Sequence, residues 1–226
     1  MNTTKITRRT SLLTLGGLAA AALGWKPDTA GAGPAAVASG AVSCVLTPEL
    51  TEGPYYIANE RVRRDITEGL PGTPLDLHLT VVDASTCKPV KGAAVDIWHA
   101  SALGVYSGEQ VQNTVGKTFM RGIQPTDAKG VSRFVTVYPG WYRGRAVHIH
   151  VKVHLGGTVV HTGQLFFPDT LTDAVYAKAP YTRRPNRDTR NATDSIYRNG
   201  GSRSLLTVKT SGSGYVGSIA MGVHRA

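Results

Sequence analysis

The sequence predicts an all-β fold, an antiparallel β-sandwich with long loops, which forms a single domain behind an N-terminal export signal. Two observations predict the sandwich. Short stretches with alternating apolar and polar residues recur along the chain, and turns rich in Gly or Pro separate them. Such spacing is typical of two packed antiparallel sheets. The length of 226 residues fits one ordinary domain with a short additional segment.

Residues 1–32 are predicted to form a twin-arginine (Tat) signal peptide, and residues 33–43 a flexible linker rich in Gly, Ala, Pro and Ser. Arg8 and Arg9 precede an apolar run that is too short to span a bilayer. An unrelated basic N-terminus before a short helix is the alternative. We therefore expect secretion by the Tat pathway, with no membrane span after signal removal. Residues 44–226 remain for the β-sandwich domain.

Alternating residues mark the strands of this domain. In the first strand, Leu75, Leu77, Leu79 and Val81 alternate with polar residues, as in a half-buried strand. Similar patterns predict further strands at 95–97, 132–137, 147–155, 158–167, 205–208 and 215–221. The Gly pair at 156–157 predicts a hairpin. The polar stretch 173–199 predicts a long loop with short helical turns and three possible aromatic anchors, Tyr176, Tyr181 and Tyr197.

Charge and cysteine content limit the partners. Lys+Arg number 25 against 15 Asp+Glu, and a basic surface can indicate nucleic-acid binding. These charges are scattered except at 183–190, and no helix-turn-helix or RNA-binding signature is visible, so we expect no nucleic-acid partner. In an exported chain, Cys44 and Cys87 predict one disulfide. Two free buried thiols are the alternative.

A group of metal-binding residue types stands out in the middle of the chain. His148 and His150 are two residues apart on a predicted strand, so both side chains leave the same face. Taken alone, this pair is also compatible with an exposed polar strand face. Tyr106 and Tyr142 precede it, and two imidazoles with two phenolates form a shell of net charge −2 that suits Fe(III) better than Zn²⁺. Fe(III) also holds a phenolate ionised at neutral pH.

The surrounding motifs resemble those of the intradiol ring-cleavage dioxygenases, the catechol and protocatechuate dioxygenase family, in the compact secreted form seen in actinobacteria. The motifs that carry the resemblance are Thr51–Tyr56, Val95–Ala100 leading to Gly104-Val105-Tyr106, Arg121–Asp127, Pro139–Tyr142, Arg145 and His148–His150. It is strong over residues 45–168 and weak elsewhere. It implies one non-haem Fe(III) per chain, held by Tyr106, Tyr142, His148 and His150.

The resemblance also implies an activity, which is O2-dependent cleavage of a catechol-type ring between its two hydroxylated carbons. Tyr142 is then expected to be displaced by substrate and to act as general base. Arg145 and Gln164 would steady the activated substrate. Gly53, Pro54 and Tyr55 would form a wall of the substrate pocket. The products would be of the cis,cis-muconate type.

Two other functions remain open from the sequence. One is a catalytically inactive secreted β-sandwich module that binds polysaccharide or cell wall. The other is a zinc hydrolase that uses His148 and His150, although a third His or carboxylate ligand is not evident at a suitable spacing.

The stretch from Tyr142 to His148 is shorter than in the large intracellular relatives. The sequence leaves the oligomeric state and the preferred catechol open.

Overall fold

The computed structural model describes residues 46–58 and 61–224, which form two four-stranded sheets packed face to face. The strands are β1 (Pro74–Asp83), β2 (Ala94–Trp98), β3 (Arg121–Pro125), β4 (Val131–Val137), β5 (His148–Leu155), β6 (Thr158–Phe166), β7 (Thr207–Ser211) and β8 (Gly214–Val223). The predicted single-domain β-sandwich is therefore confirmed. The predicted signal peptide, linker and Cys44 lie outside the described residues.

The first sheet has the strand order β4-β1-β8-β7 and the second β3-β2-β5-β6. All neighbours pair antiparallel except β1 and β8, which run parallel from Leu75↔Tyr215 to Asp83↔Val223. The expectation of purely antiparallel pairing is wrong for this pair. Alternation of apolar residues tells which face of a strand is buried, but it carries no information about strand direction.

The core lies between the two sheets. The four apolar residues of the predicted first strand are fully buried, and they meet the inner face of the second sheet, including Val95 and Ile97 of β2. The other face of the second sheet is also buried. Strand β5 has six consecutive buried residues from His148 to Val153, so its histidine-bearing face is covered rather than solvated. Loops therefore build a second, polar interior on the outside of this sheet.

The observed elements differ from the predicted ones in short or irregular segments. Strand β3 is not predicted, because Arg121–Pro125 lacks a regular apolar alternation, and helix α1 spans Asp169–Tyr176 and begins before the predicted loop. The short helical turns predicted within 173–199 are confirmed: helix α2 is the single turn Ser195–Arg198, and 3-10 turns occupy Tyr181–Arg183 and Asn191–Thr193. Two further 3-10 turns lie at Gln110–Gln112 and Gly201–Ser204.

The three expected tyrosine anchors pack against the sandwich. Tyr176 and Tyr181 stack with ring centroids 5.2 Å apart, and Tyr197 meets Phe166 of β6 at 5.1 Å. These contacts tie the irregular segment after β6 to both sheets. None of the helices in the described part of the chain has the length and apolar character needed to cross a membrane.

Candidate active site and metal centre

Two histidines of β5 converge on the covered outer face of the second sheet. Their Nε2 atoms lie 3.0 Å apart. Nδ1 of His148 lies 2.6 Å from the carbonyl oxygen of Ala146, and only a protonated Nδ1 can donate to that oxygen. Nε2 of His148 is therefore an unprotonated lone pair directed at its neighbour, which is the arrangement expected of a metal ligand whose tautomer is fixed by a second bond.

Both predicted tyrosine ligands reach the same point. The Tyr142 hydroxyl lies 3.0 Å from Nε2 of His148. The Tyr106 ring is 5.6 Å from that of Tyr142 and 6.3 Å from that of His150, measured between centroids. Among the described residues, neither the buried Tyr106 hydroxyl nor the buried Nδ1 of His150 has a hydrogen-bond partner. Unpartnered buried polar atoms are costly, and a bound ion would satisfy the phenol oxygen.

The donor set fits a ferric ion better than zinc. Within residues 46–58 and 61–224, no group of three or more His, Cys, Asp or Glu side chains is gathered so as to hold a metal. The shell around His148 and His150 is instead completed by two phenols. His99, another fully buried histidine, is engaged elsewhere, with Nδ1 at the carbonyl of Ala100 and Nε2 at the hydroxyl of Thr136.

Burial sets the protonation of these side chains. Burial first, and then the nearby Arg145 charge, lower the pKa of His148 from 6.5 to about 3. Burial likewise lowers the pKa of His150 well below its ordinary value. Burial raises the pKa of Tyr106 well above 10 and raises that of Tyr142 despite the opposing charge of Arg145. Neutral imidazoles are ready to ligate, whereas both phenols require a strongly acidic cation before they ionise.

Tyr106 is held by a buried arginine of the strand that the sequence did not reveal. Arg121 on β3 donates from Nε to the Ser107 hydroxyl at 2.9 Å and from a terminal nitrogen to the Ser107 carbonyl at 2.8 Å. It also donates to the Tyr55 carbonyl at 2.6 Å. One guanidinium thus joins the Tyr106 loop to the segment that was expected to form the pocket wall. Register explains its place, because Arg121 pairs with Trp98 and Trp98 with His150.

The expected pocket wall lies over the histidines. Gly53 adopts φ 74°, and a Cβ on it would lie 3.0 Å from Cε1 of His150. The Tyr55 ring stacks on Tyr106 with centroids 4.3 Å apart. Pro54 is exposed between these two residues. From below, Trp98 stacks on His150 at 4.9 Å with nearly parallel planes, so the imidazole is clamped between an indole and the backbone of the wall.

Arg145 and Gln164 stand beside the four donors. Gln164 of β6 is the cross-strand partner of His150. Its side-chain nitrogen donates to the Thr51 carbonyl at 2.8 Å, and its oxygen accepts from Arg145 at 2.5 Å. A second terminal nitrogen of Arg145 lies 3.5 Å from Nε2 of His148. The structure thus brings together all the predicted ligand residues with Arg145 and Gln164, while their chemical roles stay predictions.

Asp194 is a second functional candidate that the sequence analysis missed. Its carboxylate accepts a hydrogen bond from Nε of Arg145 at 2.9 Å. Burial raises the pKa of Asp194, but hydrogen bonds from the amides of Ala146 and Tyr197 and the Arg145 charge lower it below the ordinary value. The only local signal was an Asp before the short polar turn Ser195–Arg198, a pattern that predicts a helix cap.

Comparison with known proteins shows the family. The family model described as Dioxygenase matches residues 51–183. An intradiol ring-cleavage dioxygenase from Tetranychus urticae is 34% identical with a TM-score of 0.75, covering 80% of this chain and 95% of that chain. The dioxygenase domain of a dioxygenase–carbohydrate-binding protein fusion from Streptomyces sp. SirexAA-E is 31% identical with a TM-score of 0.62. This match covers 80% of this chain and 99% of that chain.

Curated relatives point the same way over shorter stretches. A catechol 1,2-dioxygenase from Acinetobacter baylyi is 37% identical over 162 residues, which is 58% of this chain and 50% of the relative. Another, from Acinetobacter lwoffii, is 36% identical over 101 residues, or 42% of this chain and 32% of the relative. The chain thus spans half or less of these relatives. Since the family model covers more than half of the chain, the chain belongs to the intradiol ring-cleavage dioxygenase family.

Proposed function

We propose that this protein is an Fe(III)-dependent dioxygenase that cleaves catechol-type rings between the two hydroxylated carbons with O2, giving cis,cis-muconate-type products. One observation carries the proposal. Two neutral imidazoles and two phenols, from three separate segments of the chain, meet at one buried point beside an arginine. Catechol 1,2-dioxygenases among the relatives support a catechol-type substrate.

Tyr106, Tyr142, His148 and His150 would hold the iron, one ion per chain. When bound, ferric iron would supply a Lewis acid that activates a catechol-type ring toward O2. Tyr142 is half-buried on a loop, unlike the fully buried Tyr106, so it is the ligand that substrate can displace. Its freed phenolate would accept the catechol proton at the Tyr142 oxygen.

Arg145 would act on the substrate rather than on the metal. Its guanidinium is a permanent cation beside the His148 nitrogen, and Gln164 and Asp194 fix two of its edges. A fixed cation in a buried site would stabilise the negative charge shifted onto the ring carbon that O2 attacks. Tyr55 and the backbone at Gly53 form a wall that suits an aromatic ring.

We also propose export by the Tat pathway and action outside the cell. The support is the twin-arginine pair with its short apolar run, and Tat export of folded cargo suits a protein loaded with metal before transport. Catechols released from lignin or other plant aromatics are the substrates that such a location favours. The Streptomyces dioxygenase domain with a carbohydrate-binding fusion partner comes from a cellulolytic bacterium, which agrees with this setting.

Metal content and oxygen uptake test the function together. The purified protein should contain one iron per chain, show a tyrosinate-to-iron colour and consume O2 with a panel of catechols while forming a diacid. Tyr106→Phe and His148→Ala should lose most of the iron. Tyr138→Phe, another fully buried tyrosine but with its hydroxyl bonded to Thr172, should keep it. Colourless, iron-free protein would favour the inactive polysaccharide-binding module, and an active zinc-only protein would contradict the ferric site.

A further inference from the structure

The Asp194 carboxylate lies behind the proposed site and accepts four hydrogen bonds. Its side chain is fully buried. One oxygen accepts from Nε of Arg145 at 2.9 Å and from the amide of Ala146 at 2.7 Å. The other accepts from the amides of Ile196 at 2.7 Å and Tyr197 at 3.0 Å. Four donors from two chain segments therefore converge on one ionised group, which is far more than a helix cap requires.

The first consequence concerns the direction of the Arg145 guanidinium. Arg145 lies on a loop, where a long side chain has many rotamers to lose. Asp194 fixes the Nε edge, and Gln164 accepts from one terminal nitrogen at 2.5 Å. With two edges fixed on different sides, the remaining nitrogen is directed toward His148, at 3.5 Å from its Nε2. Asp194 thus supplies the anchor that aims this cation into the site.

The second consequence reaches the metal-facing histidine through one peptide unit. The amide of Ala146 donates to Asp194, and the carbonyl of Ala146 accepts from Nδ1 of His148 at 2.6 Å. A carboxylate that holds this peptide also holds the acceptor that fixes the His148 tautomer. Groups in that position tune the orientation and basicity of metal-binding histidines.

The third consequence is rigidity of the anchor itself. By capping helix α2, Asp194 fixes the turn that carries Tyr197. Tyr197 packs on Phe166 at 5.1 Å, and Phe166 packs on His148 at 5.9 Å. The carboxylate and this aromatic pair therefore brace the same histidine from two directions, so movement of α2 would be felt at the site.

We propose that Asp194 is a positioning residue of this enzyme, which aims Arg145 at the substrate and, through the Ala146 peptide, holds His148 in its ligating tautomer. The inference rests on the proposed dioxygenase function for its catalytic meaning. The contacts themselves are independent of that function, because they join residues of the protein alone.

The test compares Asp194→Asn with Asp169→Asn. Asp169 is the matched control, because it also accepts from an arginine, Arg187 at 2.5 Å, and from a backbone amide, Asn191 at 3.2 Å, away from the site. With iron saturating, Asp194→Asn should lose kcat on the order of 100-fold with little change in KM, since a misaimed catalytic group costs about that much. It should also bind iron about 10-fold more weakly through His148. Asp169→Asn should change neither quantity.

A cap-preserving variant protects the test against misfolding. Asp194→Ser keeps a good helix N-cap but removes the oxygen that holds Arg145 and Ala146. It should fold and show the same loss of kcat. At saturating iron, where weaker binding through His148 is compensated, a double variant with Arg145→Ala should be no slower than Arg145→Ala alone, since the effect of Asp194 on kcat then acts through Arg145. Additive losses in kcat would overturn the positioning role.

A measurement on metal-free protein separates this inference from the proposed function. The Nε–H of Arg145 should give a protected, downfield nitrogen-15 NMR signal that disappears in Asp194→Asn and Asp194→Ser and persists in Asp169→Asn. If the wild type turns over no catechol, the dioxygenase proposal fails while this signal still tests the anchor. An unchanged Arg145 signal, or Asp194→Asn with wild-type kcat, would overturn the inference.

Discussion

The two tyrosines of the site differ in how firmly the structure holds them. Tyr106 is 1% exposed, stacks on Tyr55, and its loop is tied down by Arg121. Tyr142 lies half-buried on the loop between β4 and β5, and its hydroxyl contacts His148. This asymmetry supports a permanent role for Tyr106 and a displaceable one for Tyr142.

Replacement of Arg145 should separate catalysis from metal binding. We expect Arg145→Ala to keep its iron, because Arg145 is not one of the four donors, and to lose turnover by about two to three orders of magnitude. Iron analysis and steady-state kinetics measure both quantities. Arg187→Ala, which removes an off-site arginine with two carboxylate partners, serves as control. Near-normal turnover in metallated Arg145→Ala would remove Arg145 from the mechanism.

Gly53 tests whether the pocket wall supports the metal site. A Cβ at Gly53 would lie 3.0 Å from Cε1 of His150 at a backbone φ of 74°. We expect Gly53→Ala to lose about 1–2 kcal/mol of stability from backbone strain and also to weaken iron binding. Gly69→Ala carries the same strain at φ 72° with nothing near its Cβ. Equal iron affinity in the two variants, measured by titration, would argue against support from the wall.

Residue spacing in the sequence placed His148, His150 and Tyr142 close together and Gln164 on the paired strand. Tyr106 lies much earlier in the chain and joined the four metal-binding candidates through the resemblance to the dioxygenase family. Arg121 and Asp194 were not predicted in their roles. Asp194 meets Arg145 across 49 positions of sequence, and Arg121 meets Tyr55 across 66. Neither the alternation of apolar residues nor the spacing of motifs predicts contacts between residues so far apart in the chain.

At the scale of elements, strand β5 does two jobs at once. Its inner face carries Ile149, Val151 and Val153 into the core, and its outer face carries the histidines into the loop-covered site. The alternation of apolar and polar residues therefore predicted the strand correctly. The polar face of such a strand is normally exposed to solvent, but here it is buried. Loops cannot be placed on a strand face from periodicity, which is why the covering of this face required the structure.

Reduction of the disulfide tests how the N-terminal part of the domain is held. Cys87, in the turn after β1, is disulfide-bonded, and Cys44 is its predicted partner. The bridge would close the chain between Cys44 and Cys87 into a loop, and the entropic model gives such a loop about 4 kcal/mol of folding stability. Reduction should therefore lower Tm. The wall keeps its own bonds from Gln164 and Arg121. We therefore expect KM to rise by a small factor, more than kcat falls, with iron retained.

Thermal unfolding with and without reductant, together with kinetics, measures these effects. Cys87→Ser should behave like the reduced wild type and should not respond to reductant. An unchanged Tm after complete reduction, verified by thiol titration, would contradict a stabilising bridge.

For the whole molecule, buried neutral histidines make stability depend on pH. Burial lowers the pKa of His161 and of His99 from 6.5 to about 4. Between pH 6.5 and 4 these histidines therefore bind protons in the unfolded chain but stay neutral in the folded chain. The free energy of unfolding should fall as pH drops through this range. Metal-free protein followed by thermal unfolding avoids effects of iron release. His161→Gln should flatten part of this dependence, and an identical slope would exclude His161.

The parallel pairing of β1 with β8 determines when the first sheet can form during synthesis. These two strands are the central strands of their sheet, yet the first ends at Asp83 and the second begins at Gly214. Nearly the whole domain must leave the ribosome before the sheet can close, and long-range closure of this kind is slow. Until then β1 has an unpaired edge, where another chain could pair with it. For the Tat export that we propose, the chain therefore has to be complete through β8 before it can be carried in folded form.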